Sequence, residues 1–428
     1  MSNKKSSSLV PTLRFPEFRE AGEWEGKMLG EICKFVRGPF GGTLKKEIFI
    51  KEGYAVYEQS HAISQCFDHF RYYIDEDKYK ELQRFAVLPD DLIMSCSGTM
   101  GKFAIIPNKP KAGVINQALL KLTIKNKYDL NFIKYTLELP VNQEQLLSQS
   151  AGGAIKNVAS VDQIKEIVLY MPNTAEQQKI AACLSSLDEL ITAHSQKLNA
   201  LKKHKKGLMQ QLFPAEGETV PTLRFPEFRE AGEWVEKSLG EIGELKNGIN
   251  FSADKKGSGT LTVDVLNMYS FGIETKLDSL YRVDIDAKDC LLKDSDILFV
   301  RSSVKREGIG WSSLFRDFSE PVLFCGFLIR LRLKSFRFTH PEFLLYYLRS
   351  DFGRQKVISV SGTAAITNIS QDSLKTISIP FPSLPEQQKI AACLSSLDEL
   401  ITAHSQKLDA LKKHKKGLMQ RLFPAVEV

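Results

Sequence analysis

Ile180, Leu184, Leu187, Ile191, His194, Leu198, Leu201, Lys205, Leu208 and Leu212 follow an unbroken alternation of four- and three-residue steps. A hydrophobic repeat of that average period marks a coiled-coil seam. The pattern returns 210 residues later, with Ile390, Leu394, Leu397, Ile401, Leu408 and Leu411 on the seam. Each stretch opens on a helix-start signal, Asn173-x-x-Glu176 and Ser383-x-x-Glu386, which predicts a capping box. The first predicted helix ends before Pro214, and at about 1.5 Å per residue it makes a rod on the order of 55 Å long. One apolar stripe needs a partner, and the second copy in the same chain is present at high effective concentration. If a twofold axis relates the copies, the helices run antiparallel and His194 meets His404 near the middle. Each is expected to be a hydrogen-bonded or semi-buried histidine with no catalytic duty.

The helices belong to a wider duplication. Pro11 to Trp24 recurs unchanged as Pro221 to Trp234, and Glu176 to Ala215 recurs as Glu386 to Ala425 with only Asn199/Asp409 and Gln211/Arg421 differing. A repeat of this length is far above the roughly 20 to 50 residues of a solenoid unit, so two half-molecules are expected. Between the repeated pieces lie inserts with only scattered matches, among them Leu29-Gly-Glu-Ile32 with Leu239-Gly-Glu-Ile242 and Asp91-Leu-Ile93 with Asp296-Ile-Leu298. The organisation that follows is a framework segment at 1–24, an insert domain at 25–172, a helix at 173–215, the repeated framework at 216–234, a second insert domain at 235–382 and a second helix at 383–428.

Within the inserts, short alternating or apolar runs broken by Gly and Pro predict an α/β fold rich in strand. Phe327 to Lys334 alternates strictly at its end, which puts Arg330, Arg332 and Lys334 on one strand face; the first insert has Lys121, Thr123 and Lys125 on the matching strand. Basic residues recurring in otherwise dissimilar inserts suit phosphate contact, against the plainer reading of a solvated outer face. Polar loops follow the paired Asp-aliphatic strands: Ser95, Ser97, Thr99 and Lys102 in the first insert, and Arg301, Ser302, Ser303, Lys305 and Arg306 in the second. Such side chains can reach base edges in the major groove. Ala154-Ile-Lys-Asn157 and Ala365-Ile-Thr-Asn368 form a further matched turn.

Composition changes this picture little. The chain has 428 residues, 43% of them hydrophobic and 25% charged, which fits a core-forming protein. Its net charge of +7 is concentrated in the two repeated helical segments; elsewhere the balance is close to neutral. Leu92 to Tyr128 nevertheless carries Lys102, Lys109, Lys111, Lys121, Lys125 and Lys127 without an acidic residue. The seven cysteines are dispersed with no Cys-x-x-Cys pair, so they read as small buried residues of a reducing compartment. No signal-like start and no long apolar run is present, and a cytoplasmic location without membrane contact is expected.

Catalytic motifs fail on inspection. Gly98-Thr-Met-Gly-Lys102 ends like a phosphate loop, but Cys96 stands in place of its first Gly and Phe103 in place of the Mg-binding Ser or Thr. Gly308-Ile-Gly310 lacks the third glycine of a dinucleotide fingerprint. No His or Cys cluster has metal-ligand spacing. No catalytic residue, bound cofactor or metal is expected in this chain.

Two dissimilar inserts, each followed by Pro-x-x-x-Glu-Gln-Gln-Lys-Ile and a heptad helix, resemble the specificity subunit of type I DNA restriction-modification enzymes. The motifs are Pro172 with Glu176 to Ile180, Pro382 with Glu386 to Ile390, and the Trp24 and Trp234 segments leading into Leu-Gly-Glu-Ile. Ala175 replaces the Pro385 of the second copy. The resemblance spans essentially the whole chain. It implies two pseudo-twofold-related α/β target recognition domains separated by an antiparallel coiled coil of two long helices. It also implies double-stranded DNA as the partner, read as a bipartite asymmetric site. Two methyltransferase subunits using S-adenosylmethionine and two restriction subunits using ATP and Mg would complete the assembly, each partner holding its own cofactor. A scaffold that joins two proteins without touching DNA is the competing class, and a self-sufficient methylating nuclease is the third. The latter would need an Asn/Asp-Pro-Pro-aromatic motif, which is absent.

Overall fold

The computed structural model describes residues 9–40, 42–147, 158, 160–270, 272–362 and 367–425. The turn expected at 154–157, and residues 365–366 of its copy, lie outside them. The chain divides into two compact units, one of Met1–Thr192 with Asp409–Val428 and the other of Ala193–Leu408.

Among the described residues the first unit contains nine strands: β1 (Glu25–Met28), β2 (Cys33–Arg37), β3 (Tyr54–Tyr57), β4 (Tyr73–Ile74), β5 (Leu92–Ser95), β6 (Phe103–Ile105), β7 (Gly113–Ile115), β8 (Leu119–Ile124) and β9 (Val168–Met171). They form a four-stranded sheet in the order β2-β8-β5-β6, a three-stranded sheet β4-β3-β7 and the pair β1-β9. The four-stranded sheet is antiparallel throughout, whereas β3 and β7 run parallel. The second unit has β10 (Val235–Ser238), β11 (Gly243–Asn247), β12 (Lys256–Val263), β13 (Tyr281–Val283), β14 (Ile297–Val300), β15 (Ser302–Ser303), β16 (Ser312–Leu314), β17 (Val322–Phe324), β18 (Leu328–Leu333), β19 (Thr367–Asn368) and β20 (Ser378–Phe381). Its sheets are β11-β18-β14-β16, β13-β12-β17 and β10-β20, with a further pair β15-β19. Two inserts of dissimilar sequence therefore share the strand order of three sheets, and the second adds the pair β15-β19.

The heptad stretches are helices of 39 residues, Thr174–Leu212 and Leu384–Leu422. Each contributes to both units, and within each unit the two helical pieces run antiparallel. In the second unit His194 lies against His404, with Nδ1 atoms 3.1 Å apart, while Lys205 pairs with Asp398 at 2.5 Å. Ile390, Leu394, Ile401, Leu408, Leu198 and Leu201 are buried, and Leu397 is half-buried. In the first unit Lys415 pairs with Asp188 at 2.6 Å; Ile180, Leu184 and Leu411 are buried, and Leu187 and Ile191 half-buried. A tyrosine from the insert joins each ion pair: Tyr135 donates to Asp188 at 2.7 Å and Tyr346 to Asp398 at 2.8 Å. Burial, with Asp398 alongside, drives the Tyr346 phenol far above its ordinary pKa, so it remains a donor.

The repeated framework clasps these helix ends. Arg14 donates from Nε and Nη2 to the two oxygens of Glu176, both at 2.7 Å, and from Nη1 to the Gly22 carbonyl at 2.6 Å. Arg224 repeats this on Glu386 and Gly232. Glu176 and Glu386 are both 0% exposed. The predicted capping box is thus only half made in the first copy. Asn173 Oδ1 accepts the Glu176 amide at 3.0 Å, but the glutamate turns to arginine, the stronger charge-assisted partner, instead of reaching back to the cap backbone. The same framework grips the far end of the other helix: Leu13 N donates to Arg421 O and Leu223 N to Gln211 O, each at 2.9 Å. Trp24 packs on Phe132 and Phe423, and Trp234 on Phe343.

Removing one partner of a buried bidentate pair strands the other, at a cost on the order of 3–5 kcal/mol. Glu176→Ala is expected to lower the urea midpoint and to speed amide exchange around residues 13–24, and Glu386→Ala to act around residues 223–234. Normal protection at both segments would show that the clasp does not depend on this pair.

Candidate nucleic-acid interface

The basic strand faces have structural work. Asp91 and Asp296, each 1% exposed, begin the matched strands β5 and β14 as buried anchors. Asp91 accepts the Leu88 amide at 2.8 Å, takes a hydrogen bond from Thr123 and lies 3.5 Å from the Lys121 ammonium. Lys121 also donates to the Ala86 carbonyl. Asp296 accepts the Lys293 amide at 2.7 Å and a two-pronged contact from Arg332 at 2.8 and 2.7 Å. The neighbouring carboxylate raises the Arg332 pKa. Lys125 closes the helix Leu29–Ile32 by donating to Glu31 O at 2.6 Å; Lys334 does the same for Leu239–Ile242 through Gly240 O and Glu241 O. Arg330 is buried, faces the Asp289 and Leu291 carbonyls at 3.5 Å and lies over the Phe324 ring; burial lowers its pKa.

Lys121 and Arg330 are buried and are therefore corrected from phosphate contacts to internal partners of a carboxylate or of carbonyls and a ring, and half-buried Arg332 is held by Asp296; Thr123, Lys125 and Lys334 stay exposed while bonding to Asp91 or to helix carbonyls. Alternation along a strand signals a shared face, and here that face meets buried acceptors. Ser95 is corrected likewise. It is fully buried and ties its loop shut, donating to Thr99 O at 2.7 Å and accepting from Lys102 N at 3.0 Å. The loop from Ser95 to Lys102 is the turn between antiparallel strands β5 and β6, a different setting from the strand-to-helix turn of a phosphate loop.

The loops left facing solvent gather at one edge of each four-stranded sheet. In the first unit Ser97, Thr99 and Lys102 are exposed. In the second, Lys305 and Arg306 are exposed and Arg301, Ser302 and Ser303 half-buried. Backbone bonds hold this second loop firmly: Arg301 N to Phe327 O at 2.7 Å, Ile369 N to Arg301 O at 3.0 Å and Gly310 N to Val300 O at 2.7 Å. Ser302 bonds to Asn368, and Ser303 to the Lys305 carbonyl at 2.7 Å. Arg354 pins the loop from behind, donating to Glu307 O at 2.8 Å and Ile309 O at 2.7 Å while lying over Trp311. Burial pulls the Arg354 pKa down to about 10, which still leaves it charged near neutrality. The lysine-rich run of the first insert does not form one patch, because Lys102 lies at the β5–β6 turn whereas Lys109 and Lys111 leave β6 from its other end.

Sequence reading passed over Arg37, at the end of β2, and the exposed rings of Phe40 and Phe327 at the same edges. The matching position to Arg37 is Asn247, so no shared pattern drew attention to it. Among the described residues, no group of three His, Cys, Asp or Glu could hold a metal, and no helix is long and apolar enough to cross a membrane.

The model of the family described as the type I restriction modification DNA specificity domain matches twice, over residues 21–203 and 231–413. The chain belongs to that family, as a specificity subunit of type I restriction-modification systems with two copies of the DNA specificity domain. It is 26% identical over 423 residues to the MjaVIII type I restriction enzyme specificity subunit of Methanocaldococcus jannaschii, covering 96% of this chain and 93% of that one. A second protein of that organism, a MjaX specificity subunit described as putative, is 26% identical over 419 residues, covering 94% and 93%. In fold the chain is similar to the type I S subunit from M. genitalium, with a TM-score of 0.64 at 17% identity, covering 98% of this chain and 100% of that one.

Arg332→Ala leaves the buried Asp296 carboxylate without its cation. It is expected to cost on the order of 3 kcal/mol in unfolding experiments and to leave the salt dependence of DNA binding unchanged. Lys102→Ala and Lys305→Ala should do the reverse, staying within about 0.5 kcal/mol in stability while flattening the salt slope by about one. A flattened slope for Arg332→Ala would restore the strand face as a DNA surface.

Proposed function

We propose that each recognition domain reads one half of a bipartite, asymmetric DNA site with an unspecified gap, and that the chain thereby directs adenine methylation and ATP-dependent cleavage by partner subunits. The observation that carries this reading is one topology presented twice with different side chains on the loops at the sheet edge: Ser97, Thr99 and Lys102 against Arg301, Lys305 and Arg306. Different readers on a common frame recognise different half-sites. Two methyltransferase subunits and two restriction subunits would complete the complex, bringing S-adenosylmethionine, ATP and Mg to their own sites. A cytoplasmic location follows from a chromosomal substrate.

A protein scaffold remains distinguishable by salt. The assembled methyltransferase complex should bind random duplex DNA with an affinity that falls steeply as salt rises, whereas a scaffold has no such binding to lose.

The long helices act as a ruler in this reading. One extra turn inserted after both Leu198 and Leu408 adds about 6 Å, equivalent to roughly one or two base pairs at about 3.4 Å each. Methylation mapping is expected to show a correspondingly longer gap between unchanged half-sites. Altered half-sites with the original gap would contradict the ruler.

A further inference from the structure

The edge loops contain an arginine at closely corresponding places in the two units, but rooted on different strands. In the first unit β2 ends at Arg37, paired with Leu120 of β8, and Gly38 N then bonds to Leu119 O at 3.0 Å. In the second, β11 ends at Asn247, paired with Ile329 of β18, and Gly248 N bonds to Leu328 O at 3.1 Å. Gly38 and Gly248 are needed here, because a Cβ would come within 1.8 Å of Asn116 O and 2.1 Å of Cys325 O. On the other side of the central strand the exchange is reversed. Cys96 N bonds to Ala118 O at 2.8 Å in the first unit, and Arg301 N to Phe327 O at 2.7 Å in the second. Arg37 with Cys96 thus becomes Asn247 with Arg301, so the arginine of this strand pair moves from one flanking strand to the other.

Neither arginine has a carboxylate partner among the described residues. Arg37 makes no hydrogen bond there, only its Nε is sealed from water, and it lies 6.0 Å from the centre of the Phe40 ring. Arg301 touches only the Gly326 carbonyl, at 3.4 Å from Nη1. It borders a hollow of about 490 Å³ whose lining includes Asn247 and Gln371. Phe40, whose ring neighbours Arg37, is 66% exposed, and Phe327, whose carbonyl accepts the Arg301 amide, is 60% exposed. Burying the root of a long side chain while leaving its fork free reduces the ordering cost of binding. A planar, always charged fork without a protein acceptor matches the O6 and N7 acceptors of guanine in the major groove.

We propose that Arg37 and Arg301 are equivalent specificity-determining residues. Each donates a two-pronged hydrogen bond to a guanine in its own half-site, with Phe40 or Phe327 against the adjoining base or sugar. The proposal rests on the bipartite reading above and adds that each half-site contains a G·C pair.

The test uses the full chain assembled with its methyltransferase partner. Genome-wide methylation mapping of Arg37→Ala and Arg37→Lys is expected to relax one G·C position of one half-site by about ten- to a hundredfold, leaving the gap and the other half-site intact. Arg301→Ala and Arg301→Lys should do the same in the opposite half. A second measurement needs no variant: duplexes with 7-deazaguanine at each site guanine should bind the unaltered complex about tenfold more weakly at one position per half-site. Half-sites without guanine, indifference to every 7-deazaguanine, or a uniform loss of affinity with a flatter salt slope would overturn the proposal while leaving the bipartite reading intact. An unaltered complex that methylates no bipartite sequence would overturn both.

Discussion

At the first turn of each long helix a carboxylate with no access to water has both its oxygens met by an arginine. Glu176 with Arg14, and Glu386 with Arg224, are those pairs. Desolvation makes such a pair costly unless its geometry is excellent, and the geometry requires the framework segment to lie across the helix start. Once there, the segment also bonds to the tip of the other helix and brings its tryptophan into the core with Phe132 or Phe343. This is a physical reason for the sameness of Pro11–Trp24 and Pro221–Trp234: each segment has two helices to satisfy at once.

The inserts are under a different constraint. Their interiors keep the same strand pairings and the same buried aspartate ahead of the central strand, yet the cation on that aspartate is a lysine in one and an arginine in the other. The frame conserves a charge balance and leaves its chemistry free. At the sheet edge even the balance is released, and loop side chains differ without disturbing the core. An interior in which that cation is lysine in one copy and arginine in the other, under a rim whose polar residues differ, lets recognition vary while the fold persists.

Much of this was legible in the chain. The heptad helices, the framework and the equivalence of the inserts follow from periodicity and repetition, and His194 does meet His404. Lys121, Arg330 and Arg332 were misread as phosphate contacts, because alternation reports which side chains share a face and cannot say whether a buried acid or carbonyl waits there. Asp91 and Asp296 were visible as matches, but their pairing with Lys121 and Arg332 depends on strand order, which places sequence-distant residues side by side. Arg37 escaped notice for the converse reason: its counterpart has moved to another strand, so comparing the copies position by position hides it.

The clasps also raise a question of self-recognition. Each framework grips the start of its own helix and the tip of the other, although the two tips differ only at Gln211 and Arg421. No side chain distinguishes the correct tip from the wrong one. The stiffness of the helix does so instead, since a continuous rod of 39 residues cannot bend its own end back to its own beginning. Correct pairing is thus enforced by what the chain is unable to do. The tip of a second molecule would fit equally well, and only the high local concentration of the tethered one keeps the exchange within a single chain.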